Sequence, residues 1–110
     1  MAELSSYLET LRPQLEAHFA HEEEGGLFEE IEEEMPESGS LCARLRGEHG
    51  ALVAKVESLC AESGQALPDD EAFEALVGRC GLLLKELANH EALEDDLLFR
   101  ALEGGIGAQD

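Results

Sequence analysis

Apolar residues recur every three or four positions along most of the chain. Leu4, Leu8, Leu11 and Leu15 form one series. Leu41, Leu45, Leu52, Val56 and Leu59 form a second, and Leu76, Cys80, Leu83, Leu87, Leu97 and Ala101 a third. That period belongs to an α-helix with one face turned inward. Two stretches break it: Met35-Pro36-Glu37-Ser38-Gly39-Ser40, and the segment from Glu62 to Asp70 that contains Gly64 and Pro68. Three helices are therefore predicted, at about residues 3–34, 40–62 and 70–103. Ser38 or Ser40 is expected to cap the second and Asp69 or Asp70 the third, with Gly104 and Gly105 ending the chain's last helix. The Gly25-Gly26 pair predicts a kink or bulge inside the first. The expected fold is all-α: a single domain over 1–110, an antiparallel bundle of three long helices.

Composition narrows the partners. The chain of 110 residues carries 26 Asp and Glu against 7 Lys and Arg, a net charge of -19. Nucleic acid and anionic membrane surfaces need a basic footprint, so neither is an expected partner. A hydrophobic share of 44% is too high for an acidic disordered tail. No apolar run approaches the about 20 residues of a membrane span. The segment from Met1 to Glu9 has neither the basic start nor the apolar run of a signal peptide. Cys42, Cys60 and Cys80 are odd in number and lack CxxC spacing, which fits buried thiols in a reducing cytoplasm better than a disulfide scaffold or a thiolate zinc site.

The informative positions are polar residues set on the apolar series. Leu11 and Leu15 continue into His18 and Glu22, Leu45 into His49, and Leu83 and Leu87 into His90 and Glu94. A step of four residues turns about 400°, so His18 with Glu22, and His90 with Glu94, share a face one turn apart. If the outer two helices run parallel and the middle one antiparallel, all three histidines fall near mid-bundle. Two acids and three imidazoles buried together are costly unless a cation offsets them. Imidazole nitrogen with carboxylate oxygen suits iron, manganese or zinc, and a carboxylate from each of two helices can bridge two ions. Glu23, Glu24, Glu29, Glu30 and Glu32 to Glu34 read as a solvated face, whereas His21, three residues after His18, is open to either a nearby face or an outward one.

The segment His18-Phe-Ala-His-Glu-Glu-Glu-Gly-Gly-Leu-Phe28 also echoes His90-Glu-Ala-Leu-Glu-Asp-Asp-Leu-Leu-Phe99, with one residue more between His and Phe. Together with Leu45-Arg-Gly-Glu-His-Gly-Ala-Leu-Val-Ala-Lys-Val-Glu-Ser-Leu59, these stretches resemble the hemerythrin-like, or HHE, cation-binding family. The resemblance implies a four-helix up-down bundle holding a non-haem di-iron centre. It implies oxygen or nitric oxide binding or sensing, or iron handling. His18 and Glu22 match the family's second helix, His49 its third, and His90 its fourth, where the second bridging carboxylate is Glu94 or Asp95. On that basis the family's first helix has no counterpart here. A second copy of the chain is then expected to cover the open groove as a homodimer, with a diatomic such as O2 or NO as ligand. The competing expectation is a metal-free or structurally metallated helical module for dimerisation or protein interaction. No organic substrate motif stands out, so the residues make no case for or against an enzyme.

Overall fold

The computed structural model describes residues 2–65 and 67–104. It contains α1 (Ala2–Glu24), α2 (Leu27–Glu34), a 3-10 turn (Pro36–Ser38), α3 (Gly39–Ser63) and α4 (Asp70–Gly104). The predicted boundaries near 34, 40, 62 and 70 hold within a residue or two. The predicted first helix does not hold as one helix. Gly26 takes φ 73°, ψ 17°, a left-handed conformation, which ends α1 and lets α2 start in a new direction. The Gly25 N–H donates to the His21 carbonyl at 3.0 Å, closing the last turn of α1. Gly105, the second of the expected terminal glycines, lies outside the described residues.

This corrects the expected architecture. The chain has four α-helices of its own among the described residues, where three were expected. The reason is local: a glycine in the left-handed region terminates a helix where a bulge was expected, so one long helix becomes two. The expectation of three helices completed by a second copy falls with it, because the apolar faces find partners inside one chain. Two clusters do this. Leu8, Leu15 and Phe19 of α1 pack with Leu52, Val56, Leu59 and Cys60 of α3 and with Leu76, Cys80, Leu83 and Leu87 of α4. Beyond them, Phe28 and Ile31 of α2 pack with Cys42 and Leu45 of α3 and Leu97 and Ala101 of α4. Early α1 thus meets late α3 and early α4, so α1 and α4 run parallel with α3 antiparallel to both. The molecule extends 60 × 21 × 19 Å, as expected when a 35-residue helix of about 52 Å sets its length.

Caps divide as the local chemistry allows. Asp69 caps α4: its Oδ1 accepts the Ala72 N–H at 2.9 Å. Ser38 precedes α3, but its hydroxyl donates backward to the Met35 carbonyl at 2.7 Å and gives α3 no side-chain cap. Cys42, Cys60 and Cys80 are buried free thiols, and burial pushes those of Cys60 and Cys80 above the usual range. No described helix is long and apolar enough to cross a membrane.

The break at Gly26 is testable. A Cβ there would have room, its nearest neighbour being Glu29 Oε2 at 3.9 Å, so the strain of Gly26→Ala comes from φ alone. The expected cost is about 1–2 kcal/mol, a fall in Tm of roughly 5–10 °C for a chain of this size. The same exchange at Gly78, inside α4 with nothing within 4 Å, should instead raise Tm, since Ala is favoured over Gly in a helix by about 1 kcal/mol. Thermal melts of the two variants check this.

Candidate metal centre

The site lies where the two apolar clusters meet. α1 supplies Glu22 from its last turn, α3 supplies His49 from its middle, and α4 supplies His90 and Glu94 one turn apart. One ligand atom from each of these four residues lies within 4.8 Å of the others. His90 Nε2 is 2.9 Å and His49 Nε2 3.2 Å from Glu94 Oε2, and His49 Nε2 is 3.4 Å from Glu22 Oε1. His49 and His90 are 3% and 1% exposed, so neither imidazole is a surface group.

Aromatic rings hold the imidazoles. Phe19 stacks on His49 with centroids 4.1 Å apart and planes 8° from parallel, and meets His90 edge-on at 5.4 Å. Phe28 lies 5.8 Å from His49 on another side. These rings give the site a low-dielectric wall, which raises the cost of unbalanced charge. Burial, and then the Glu94 carboxylate, push Glu22 up to about 8. The nearby Glu94 carboxylate repels a second negative charge on Glu22. Glu22 Oε1 and His49 Nδ1 are moreover buried without a hydrogen-bond partner.

These observations bear on whether a cation fits. Two neutral imidazoles and two carboxylates are nitrogen and oxygen donors of the kind that first-row divalent ions accept. An ion at their centre would supply the positive charge that the acid pair lacks and a partner for the orphaned Glu22 oxygen. The negative end of the α1 dipole, two residues beyond Glu22, favours a cation as well. The donor set therefore fits a metal ion, and Glu22, His49, His90 and Glu94 are the residues that could hold it.

A family comparison reaches the same region. The model of the Hemerythrin HHE cation binding domain matches residues 1–102. The chain belongs to the hemerythrin family. No curated protein and no solved structure gives a significant match. The match begins at the first residue, which overturns the expectation that this hemerythrin domain lacks the family's first helix. His18 and Glu22 sit on α1 itself.

The remaining predicted residues lie outside the tight cluster. The His18 side chain is 51% exposed, with Nε2 3.6 Å from Glu22 Oε2. Asp95 is exposed. Both line a cavity of about 170 Å³ that also touches Glu22, Glu91 and Glu94. His21 is exposed on the last turn of α1. The series Leu11, Leu15 had two possible continuations, His18 at the third step and Phe19 at the fourth. Phe19 takes the inner position at 3% exposure because a phenyl ring gains more from burial than an imidazole does. The echo between His18-Phe28 and His90-Phe99 breaks for the same kind of reason. Phe28 is buried but Phe99 is 60% exposed, since nine steps of about 100° place Phe99 opposite His90.

Two residues escaped the sequence reading of this hemerythrin site. Phe19 was hidden behind His18. Glu48 adjoins His49, and its only signal was the four-residue spacing from Arg44. Its Oε1 lies 2.7 Å from His90 Nδ1, and its Oε2 accepts from Arg44 Nε at 3.0 Å. Burial pulls the Glu48 carboxyl up, but the hydrogen bonds from His90 and Arg44 outweigh it and hold it below its ordinary value.

The crowding of Glu22 against Glu94 has a measurable consequence in metal-free protein. A carboxyl raised from 4.5 to about 8 by folding contributes stability below pH 4.5 that is lost as pH climbs toward 8. Glu22→Gln removes that loss. Because Glu22 keeps some solvent access, we expect a gain of about 1–2 kcal/mol at pH 8, less than the full shift implies. The gain should vanish near pH 4, where Glu22 is protonated folded or unfolded; melts of both proteins at the two pH values test it.

Proposed function

We propose that this hemerythrin-family protein binds iron through Glu22, His49, His90 and Glu94 and uses it in oxygen or nitric oxide binding or sensing, or in iron handling. The observation that carries the reading is the buried convergence of these four side chains, with a crowded acid pair and unpartnered polar atoms at its centre. A redox-active ion with a coordination position left open by the protein can bind a small diatomic. The protein's own part is to hold the donors and to wall the imidazoles with Phe19 and Phe28.

A second ion is part of the proposal. His18 and Asp95 line the cavity on the outer side of Glu22 and Glu94. The two glutamates would then be shared between an inner ion, held with His49 and His90, and an outer one, held with His18 and Asp95. Manganese or zinc remain chemically compatible donors' partners, and metal counting separates them from iron.

The test is anaerobic Fe(II) loading, removal of free metal, and counting of ions per chain, followed by exposure to O2 watched optically. Two ions in the wild type and one in His18→Ala support the full reading. One ion in both removes the second site. No retained metal overturns the proposal and leaves the metal-free interaction module as the better account.

A further inference from the structure

The geometry points to Glu48 as the positioning residue for His90: its carboxylate holds the proton on Nδ1 so that Nε2 presents its lone pair to the cluster. This rests on the metal-binding reading above and extends it to a residue outside the donor set.

An imidazole has two nitrogens, and only an unprotonated one can serve a metal. His90 stands between two carboxylates, Glu48 Oε1 at 2.7 Å from Nδ1 and Glu94 Oε2 at 2.9 Å from Nε2. Each can draw a proton to its own side. If Glu94 wins in the neutral ring, the proton blocks the nitrogen that faces the cluster. If Glu48 wins, Nε2 is free. The structure favours Glu48 in three respects. Its contact is the shorter one. Its other oxygen is fixed by Arg44 Nε at 3.0 Å, so the carboxylate is pinned at a set angle along α3. It also lines a separate cavity of about 220 Å³ with Arg44, Asn89 and His90, which Glu22, His49 and Glu94 do not line. Glu48 therefore approaches His90 from outside the cluster and adds no further charge among the donors.

His49 supplies an internal contrast. Its Nδ1 is buried without a hydrogen-bond partner, and the nearest carboxylate oxygen, Glu23 Oε1, is 3.5 Å away on a half-exposed side chain. One imidazole is thus held at its outer nitrogen and the other is held by ring stacking on Phe19. A histidine that binds a metal ordinarily donates its second N–H to a carboxylate or carbonyl, and loss of such a partner lowers metal affinity by roughly 10–100-fold.

The test uses metal-free and Co(II)-titrated protein at one fixed pH. In metal-free protein labelled with ¹⁵N-histidine, long-range ¹H–¹⁵N spectra report which nitrogen carries the proton, and His90 is assigned by its loss in His90→Gln. We expect a protonated Nδ1 in the wild type. In Glu48→Ala, Glu94 is the one acceptor left and the proton should move to Nε2, with Co(II) affinity falling roughly 10–100-fold. In Glu48→Gln the amide oxygen can still accept from Nδ1, so the wild-type tautomer and most of the affinity should return. Arg44→Ala, which leaves the acceptor in place, should change affinity by only a few-fold. A bare Nδ1 in the wild type overturns the assignment, as does a Glu48→Ala protein with either the tautomer or the affinity unchanged. A wild type that takes up no Co(II) sinks the metal reading alone, because the proton's position on His90 still decides whether Glu48 holds it.

Discussion

Replacing His49 with alanine is expected to lower the affinity for Fe(II) or Co(II) by more than the roughly 10–100-fold that loss of an outer hydrogen-bond partner costs. His49 reaches each of the other three residues. Its Nε2 lies 3.2 Å from Glu94 and 3.4 Å from Glu22, and its ring centroid is 4.9 Å from that of His90. Without it the two glutamates face each other with a single imidazole between them. Oxygen-rich sites of that kind suit magnesium or calcium better than iron, so selectivity should shift along with affinity. His21→Ala is the matched control, since His21 is exposed and outside the cluster. Metal titration followed optically with Co(II) decides the matter. Equal affinities in wild type and His49→Ala would show that the four side chains do not act together.

Phe19→Ala should be the most destabilising single change near the site, at about 3–5 kcal/mol. Phe19 is 3% exposed and belongs to the cluster that joins α1 to α3 and α4. It is also the ring against which His49 is stacked. Its removal deletes core contacts, leaves a cavity that the helices cannot fully close, and frees the imidazole to turn. Small domains have only about 5–15 kcal/mol of stability in total, so the variant should melt tens of degrees lower or fail to fold at ordinary temperature. Phe19→Leu keeps most of the volume and should fold. If the stack orients His49, that variant binds metal more weakly than the wild type while melting close to it. Full metal affinity in Phe19→Leu would restrict Phe19 to packing.

Much of this molecule was legible before any coordinates. The helices break beside Pro36 and in the segment that holds Gly64 and Pro68, where proline and small polar residues cluster and the backbone pattern is weakest. Leu45, His49, Leu52, Val56 and Leu59 lie on one face of α3 as their spacing demands, and all are buried. His90 and Glu94 share a face of α4 for the same reason. What went unread depends on choices between neighbours. Gly25-Gly26 could have bent a helix or ended it, and the two outcomes differ only in whether Gly26 reaches a positive φ. His18 and Phe19 both continue the α1 series, and the choice between them turned on which side chain the opposing helices could accommodate.

Sequence by itself determined that this chain is helical, that its helices break beside Pro36 and Pro68, and that His49 and His90 occupy inward-facing positions, because helix period and chain breaks are local properties. Only the tertiary structure decided which of those residues converge. It brought Glu22, His49, His90 and Glu94 within 4.8 Å of one another, left His18 and Asp95 at the rim of a neighbouring cavity, and set Glu48 behind His90. Convergence depends on how three helices rotate about their own axes as they pack. That rotation is chosen by the fit of Phe19, Phe28 and the leucines around them, which no spacing within a single helix can express.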